Sequence, residues 1–178
     1  QKVVKDLGVS EAERRLRSNR HGMCALLPTA LASGQLLAAR NAEGLLAVLV
    51  STPPLAYPLP PPSLWTRIRC ALGQGVPVAR RWALVFERLH ALHPGEPHWY
   101  LGALGVLPER QRQGVGSALL AHWLAQTDPA GLFQYLETDR ERNLAFYGRA
   151  GFETLGELQI LGARVWRMRR GRSRSARL

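Results

Sequence analysis

One stretch constrains this chain more than any other. It is Leu104-Gly105-Val106-Leu107-Pro108-Glu109-Arg110-Gln111-Arg112-Gln113-Gly114-Val115-Gly116-Ser117-Ala118-Leu119-Leu120. An apolar run enters a short polar loop with two glycines, and a helix with a periodic apolar face leaves it. That order reads as strand, loop and helix N-terminus. The first turn of a helix has unpaired N–H groups and a partial positive charge, which together make an anion site. Gly114 and Gly116 remove side chains where an anion must approach the backbone, and Arg110 and Arg112 add cationic donors. The expected ligand is a molecule bearing a pyrophosphate.

Two common phosphate loops fit poorly. A Walker loop ends in Gly-Lys-Ser/Thr, whereas Gly116-Ser117 lacks the lysine. A dinucleotide fingerprint needs a third glycine where this chain has Leu119. The pattern Gln111-x-x-Gly114-x-Gly116, after a strand and before a helix, instead resembles the coenzyme A loop of the GCN5-related N-acetyltransferases (GNAT). Further along, Asn143-Leu144-Ala145-Phe146-Tyr147 and Gly151-Phe152 resemble that family's second cofactor motif, in its order and spacing.

The resemblance implies an α/β fold: a mixed, largely antiparallel sheet with a splayed central strand and helices on both faces. It also implies acetyl-CoA as cosubstrate, with Leu104, Gly105, Val106, Gln111, Arg112, Gln113, Gly114, Val115, Gly116, Ser117 and Asn143 around it, and no metal. The acceptor would be a primary amine. A narrower likeness, to the puromycin N-acetyltransferase branch, rests on His98-Trp99-Tyr100-Leu101, Tyr135-Leu136-Glu137-Thr138, the Asn143–Tyr147 run and Trp166-Arg167-Met168. It covers under half of the chain and leaves the acceptor undetermined. A small molecule is expected, with a protein N-terminus or lysine as the alternative.

Transfer of an acetyl group from a thioester to an amine makes three demands. The amine must be neutral, the oxyanion needs donors, and the departing thiolate needs a proton. Backbone N–H groups at Leu104 to Val106 would serve the oxyanion if Gly105 bulges. Tyr147 lies four residues after Asn143 on one helix face. The resemblance assigns Tyr147 the acid role and Asn143 a hydrogen bond to the cosubstrate. Glu137, on the next strand, is the candidate base, and a solvated strand-end charge is the bland alternative. His98 is the second candidate.

The remainder reads in chain order. Ser10-Glu11-Ala12-Glu13 is a capping box that starts a helix through about Arg17, with Gly22 able to end it. A second short helix is expected over Leu26 to Ala32, stopped at Ser33-Gly34. Gln35 to Arg40 and Leu45 to Ser51 flank a Gly-containing loop, as in a hairpin. The proline-rich segment Pro53 to Pro62 excludes a helix interior or central strand and suits an extended linker or pocket edge. Ser63 caps a helix from Leu64 to Leu72. Val78, Trp82, Val85, Phe86, Leu89 and Leu92 form one helical stripe, which predicts packing for Trp82 and Phe86. The strand His98 to Val106 should bury Trp99, Leu101 and Ala103 on one face and Tyr100, Leu104 and Val106 on the other. Gly114 to Gln126 is the next helix and Phe133 to Thr138 the next strand. Asn143 to Arg149 is a short helix, and a hairpin around Gly162 closes the order.

The 178 residues suit one domain, expected over residues 1–168. The net charge is +11, and seven arginines fall between Arg164 and Arg177. Residues 169–178 are therefore expected to be a disordered basic tail, solubilising rather than specific for nucleic acid. No apolar run is long enough for a membrane span, and the start has no signal-peptide pattern. Cys24 and Cys70 lack metal-ligand spacing and are expected as buried thiols in a reducing, cytoplasmic setting. A monomer or homodimer is expected.

Overall fold

A computed structural model describes residues 11–57, 59–60 and 63–171. In chain order the elements are α1 (Glu11–Ser33), β1 (Gln35–Asn41), β2 (Gly44–Thr52), α2 (Leu64–Gln74), α3 (Val76–Ala91) and β3 (Trp99–Val106). Then come α4 (Val115–Thr127), β4 (Gln134–Thr138), α5 (Arg142–Arg149), β5 (Glu153–Ile160) and β6 (Ala163–Arg170), with single 3₁₀ turns at Pro108–Arg110 and Asp128–Ala130. The strands form one sheet in the order β1-β2-β3-β4-β6-β5. Each neighbouring pair is antiparallel except β3 and β4. The expected mixed α/β sheet is the observed one.

The parallel pair decides the shape. β3 and β4 pair only through Trp99↔Gln134 and Tyr100↔Tyr135, with Trp99 N–H donating to the Phe133 carbonyl at 3.0 Å. Beyond Tyr100 the strands part, and one edge of β3 loses its neighbour. On the other edge β3 stays on β2 as far as Val106.

That β2–β3 ladder slips between Val50↔Ala103 and Ser51↔Leu101, so Gly102 is the extra residue of a bulge. Gly105 pairs regularly with Val48. The bulge therefore lies three residues before Gly105, at the other glycine of this strand. It also resets the alternation of side chains. Trp99, Leu101, Leu104 and Val106 all pack into the core, so the strict alternation expected for this strand fails at Gly102.

The core lies between that face and two helices. Leu119, Leu120, Trp123 and Leu124 of α4 pack with Ala47, Leu49, Leu101, Leu136 and Met168 of the sheet, and Tyr147 and Phe152 close the α5 side. Trp123 is fully buried and donates from Nε1 to Ser51 Oγ at 3.0 Å, which ties α4 to β2. Burying a side chain of this kind contributes about 1.5–3 kcal/mol, so the contact fixes where α4 lies.

Several local expectations need correction. α1 is one helix through Gly22 and Pro28, not two short ones. Gly22 is buried inside α1 beside the end of the Gln74 side chain of α2, and it does not stop a helix. Ser10, the expected cap, lies outside the described residues. Ser63 does cap α2, accepting from Thr66 N–H. Trp82 and Phe86 of α3 touch one another but are 41% and 47% exposed, so the stripe is not core. Cys24 is exposed and Cys70 half-buried, contrary to the buried thiols expected. Neither α2 nor α3 carries a buried residue, which leaves Cys70 no interior to enter.

The β5–β6 turn has both Leu161 and Gly162 at positive φ, as a tight hairpin with the strands' twist requires. β6 runs on through Arg169 and Arg170, both given to the tail by the sequence reading. Arg170 is held by Asp128, and Arg169 lies over the Phe133 ring. Residues 172–178 lie outside the described residues.

Candidate active site

The loop after β3 is built from its own polar side chains. Gln111 Nε2 donates to the Val106 carbonyl at 3.1 Å, and Gln113 Nε2 donates to the Glu109 carbonyl at 2.8 Å. Arg110 pairs with Glu43 of the β1–β2 hairpin, so its charge is shared with that carboxylate. Arg112 and Gly114 both have positive φ, 60° and 80°. Gly114 is the N-cap of α4 and has no side chain to satisfy the first N–H groups. Val115 is half-buried against the core, and Ser117 is exposed in the first helical turn.

The two glycines of this loop have different causes. Gly114 would have nothing within 4 Å of a Cβ, so its need is conformational. At Gly116 a Cβ would come 3.1 Å from Val106 Cγ2 and 3.8 Å from the Phe146 ring. The end of β3, the start of α4 and α5 thus converge at one point.

Backbone directions on β3 follow from one bond. Leu107 N–H donates to the Leu46 carbonyl of β2 at 2.9 Å. In an antiparallel ladder alternate residues face alternate neighbours. The Leu104 and Val106 groups therefore face the edge that β4 has left, and those of Gly105 face β2. The Gln111 bond to the Val106 carbonyl agrees with this. An edge with spare backbone groups, running into an uncapped helix N-terminus, suits an extended amide chain that ends in a pyrophosphate.

On α5, Tyr147 is buried and packs edge-on to Phe146 and Phe152. Burial raises its phenol to about 12, which keeps it a protonated donor at neutral pH. Asn143 Nδ2 donates to Thr138 Oγ1 at 2.9 Å, so this side chain also braces the turn from β4 into α5.

Glu137 belongs to the other face of the sheet. Its neighbour Leu136 enters the core with Tyr147, whereas Glu137 and Tyr135 turn away from it. The Glu137 side chain is only 6% exposed and stands 3.6 Å from His93 Nδ1. A ring of aromatic groups surrounds this carboxylate. Tyr57 stacks on His93 at 3.5 Å between centroids, and Tyr100 and Tyr135 meet His93 edge-on. Burial, then the Glu137 charge, raises the phenols of Tyr57, Tyr100 and Tyr135, with Tyr57 at about 12. His98 stacks on Phe133, and its pKa falls chiefly through burial.

The predicted site residues thus form two groups. The loop, the end of β3 and α5 lie together on the core side. Glu137 and His98 lie on the other, and the opening between β3 and β4 joins the sides. Sequence reading missed His93, Tyr57 and Tyr100 as site residues. The signal for His93 was its Pro94-Gly95 turn, which returns the chain so that His93 and His98 meet. Tyr57 lies in the proline-rich segment, whose pocket-edge reading fits its stacking on His93.

Residues 78–154 match the family described as an acetyltransferase (GNAT) domain. The match spans 77 of the 178 residues, and over that span the chain is similar to the acetyltransferase (GNAT) domain. GNAT acetyltransferases use acetyl-CoA as acyl donor. Solved structures agree on the fold. One is described as histone acetyltransferase HPA2 and related acetyltransferase from Corynebacterium glutamicum; it is 21% identical, with TM-score 0.60 over 94% of this chain and 95% of that one. The ribosomal-protein-S18-alanine N-acetyltransferase from Escherichia coli is 12% identical, with TM-score 0.54 over 92% and 90%. Naa20 from Chaetomium thermophilum, in complex with a bisubstrate analogue, is 15% identical, with TM-score 0.52 over 92% and 83%. Among the described residues there is no cluster of three or more His, Cys, Asp or Glu able to hold a metal. Nor is any described helix long and apolar enough to cross a membrane.

Proposed function

We propose that this chain transfers the acetyl group of acetyl-CoA to a primary amine of a small molecule, by direct attack while both substrates are bound. The observation that carries the reading is Glu137: a buried carboxylate within an aromatic ring, beside the point where β3 leaves β4. Such a group favours a cationic amine, and aromatic faces add cation–π attraction. With Glu137 6% and His93 3% exposed, an acceptor amine would have to reach them on a narrow chain.

The other residues take roles that their geometry permits. The α4 N-terminus, with Gln111, Arg112, Gln113, Gly114, Val115, Gly116 and Ser117, would take the pyrophosphate. Leu104 and Val106 would pair with the pantetheine amides and donate to the developing oxyanion. Gly105 between them leaves that strand side bare. Asn143 would bond to the cosubstrate through its amide oxygen. Tyr147 would protonate the departing thiolate, and Glu137 would hold the acceptor amine.

Protein N-terminal or lysine acetylation is the alternative, and a basic nucleic-acid-associated protein is a weaker one. Thioester consumption with acetyl-CoA separates them, measured over puromycin, simple alkyl and aryl amines and free-amine tripeptides, with the product mass recorded. Turnover of tripeptides alone would favour the protein reading. Failure to bind acetyl-CoA at all would overturn the enzyme reading. The likeness to the puromycin branch places puromycin first in the panel. We further place the chain in the cytoplasm as a monomer or homodimer, with a single catalytic domain that takes in Arg169 and Arg170 as part of β6.

A further inference from the structure

Two histidines stand behind Glu137, and none of the roles above uses them. His98 Nδ1 lies 2.6 Å from the Glu96 carbonyl oxygen. A carbonyl only accepts, so this nitrogen carries the proton. Burial disfavours the charged ring, which leaves His98 neutral and its Nε2 a bare acceptor. His93 Nε2 lies 2.8 Å from that Nε2. His93 must therefore supply the proton of this contact. In neutral His93 the other nitrogen, Nδ1, is then a lone pair. It is buried, without a hydrogen-bond partner, and 3.6 Å from Glu137 Oε1, which also has none. A backbone carbonyl thus fixes the tautomer of His93 through His98.

We propose that His93 Nδ1 takes the proton of the acceptor ammonium, and that His98 is the positioning residue that holds His93 in the accepting tautomer. This rests on the amine being drawn to Glu137. The step balances simply. One ammonium N–H bond breaks, its proton goes to Nδ1, and its electron pair stays on nitrogen. That pair forms the bond to the acetyl carbon, and the carbon–sulfur bond breaks with its electrons on sulfur. The nitrogen sheds a second proton, and the thiolate gains one through Tyr147. Of the two protons lost from the ammonium, one ends on the thiol and one leaves by way of His93.

Groups from several elements face His93. Glu137 of β4 faces it with a negative charge. Tyr57 from the loop after β2, Tyr100 of β3 and Tyr135 of β4 present phenols that stay neutral well past pH 10. His98 faces it as a neutral ring, and His90 of α3 lies 3.3 Å from the Tyr57 hydroxyl. Arg167 of β6, cross-strand from Glu137, is the opposing charge, and its Nη1 is turned to the Leu92 carbonyl at 3.5 Å.

Two measurements test this. The first is the pH dependence of kcat and kcat/KM with acetyl-CoA, using puromycin and a free-amine tripeptide as acceptors. His93→Gln keeps a donor toward His98 but has no basic nitrogen. It should lower kcat about a hundredfold near neutral pH, abolish the rising limb in that range, and recover as the amine deprotonates at high pH. KM for acetyl-CoA should stay unchanged, and added imidazole should restore part of the rate in His93→Ala. His98→Gln should move the limb without erasing it. A His93→Gln variant with the wild-type profile would overturn the proposal. The second is nitrogen-15 NMR of the wild-type imidazoles, which needs neither turnover nor a folded variant. Protonated Nδ1 on His98 and protonated Nε2 on His93 are expected, and the opposite pair of tautomers overturns it. If neither acceptor turns over while the NMR pair is as expected, the acceptor reading fails and the histidine arrangement stands.

Discussion

Gly116 lies so close to Val106 that a Cβ on the glycine would come within 3.1 Å of Val106 Cγ2. Gly114, two residues earlier, meets nothing within 4 Å but holds φ at 80°. One loop therefore contains a glycine needed for closeness and another needed for conformation. Gly114→Ala should destabilise by about 1–2 kcal/mol, the cost of the left-handed region, and keep most coenzyme A affinity. Gly116→Ala should move α4 by a few tenths of an ångström and weaken coenzyme A binding more than stability. Gly114→Glu and Gly116→Glu should abolish binding, because side chain and charge both oppose the anion. Titration calorimetry with coenzyme A beside thermal unfolding separates these effects. Undiminished affinity in both Glu variants would remove the pyrophosphate from this loop.

Tyr147 offers a different kind of test. Its phenol is raised to about 12 by burial, so at neutral pH it can donate but does not ionise unaided. Tyr147→Phe keeps the packing against Phe146 and Phe152 and removes only the hydroxyl. kcat should fall about 10²- to 10³-fold, with coenzyme A affinity nearly unchanged, since the donor is used chiefly as the thiolate leaves. Single-turnover kinetics should show the loss in the chemical step. An unchanged chemical rate would reduce Tyr147 to a packing residue.

Local chemistry made much of this fold legible and global packing hid the rest. The strand–loop–helix at Leu104 to Leu120, the hairpin at Asn41 to Gly44 and the turn at Gly162 are specified by residues adjacent in sequence. Glycine at a positive φ or an apolar run leaves a local mark. Gly22 leaves no such mark, because it sits inside one long helix whose neighbour, Gln74, is far away in sequence. The bulge on β3 depends on register with β2, and two glycines in that strand gave no means of choosing between them. Trp82 and Phe86 have a helical period that records a shared face but not what covers it. At the site, Glu137 could be placed on a strand face by alternation. The rest of its aromatic surround could not, because Tyr57, His93 and Tyr100 come from three separate segments.

The buried phenols also set the alkaline limit of the fold. Tyr57 and Tyr147 are each raised to about 12, in both cases first by burial, and Glu137 adds to the shift at Tyr57. In the unfolded chain a tyrosine titrates near about pH 10. Below that value both states hold the proton and stability is unaffected. Between about pH 10 and pH 12 the unfolded chain releases protons that the folded chain keeps, so stability falls as pH rises. Urea midpoints should be level to about pH 9 and then decline, with a smaller decline in Tyr147→Phe. A decline of the same size in that variant would show that its phenol is not held protonated.

Glu137 is the residue on which the acceptor reading turns. Its side chain is nearly closed from solvent, yet Oε1 lacks a hydrogen-bond partner, an arrangement that costs free energy unless a ligand completes it. A cationic amine would complete it. Glu137→Gln keeps the shape and removes the charge. If the carboxylate holds the amine while His93 takes its proton, the acceptor KM should rise about 10- to 100-fold with a smaller change in kcat, and the neutral-pH limb should persist. If Glu137 is itself the base, kcat should fall instead, and activity should return at high pH as the amine deprotonates unaided. The pair Glu137→Gln and His93→Gln then forms a cycle. Effects that multiply would mean two separate roles; a double variant no worse than His93→Gln alone would mean that the carboxylate acts only through the imidazole. Should neither KM nor kcat move in Glu137→Gln, the acceptor amine binds elsewhere, and the aromatic ring around Glu137 belongs to the fold and not to the chemistry.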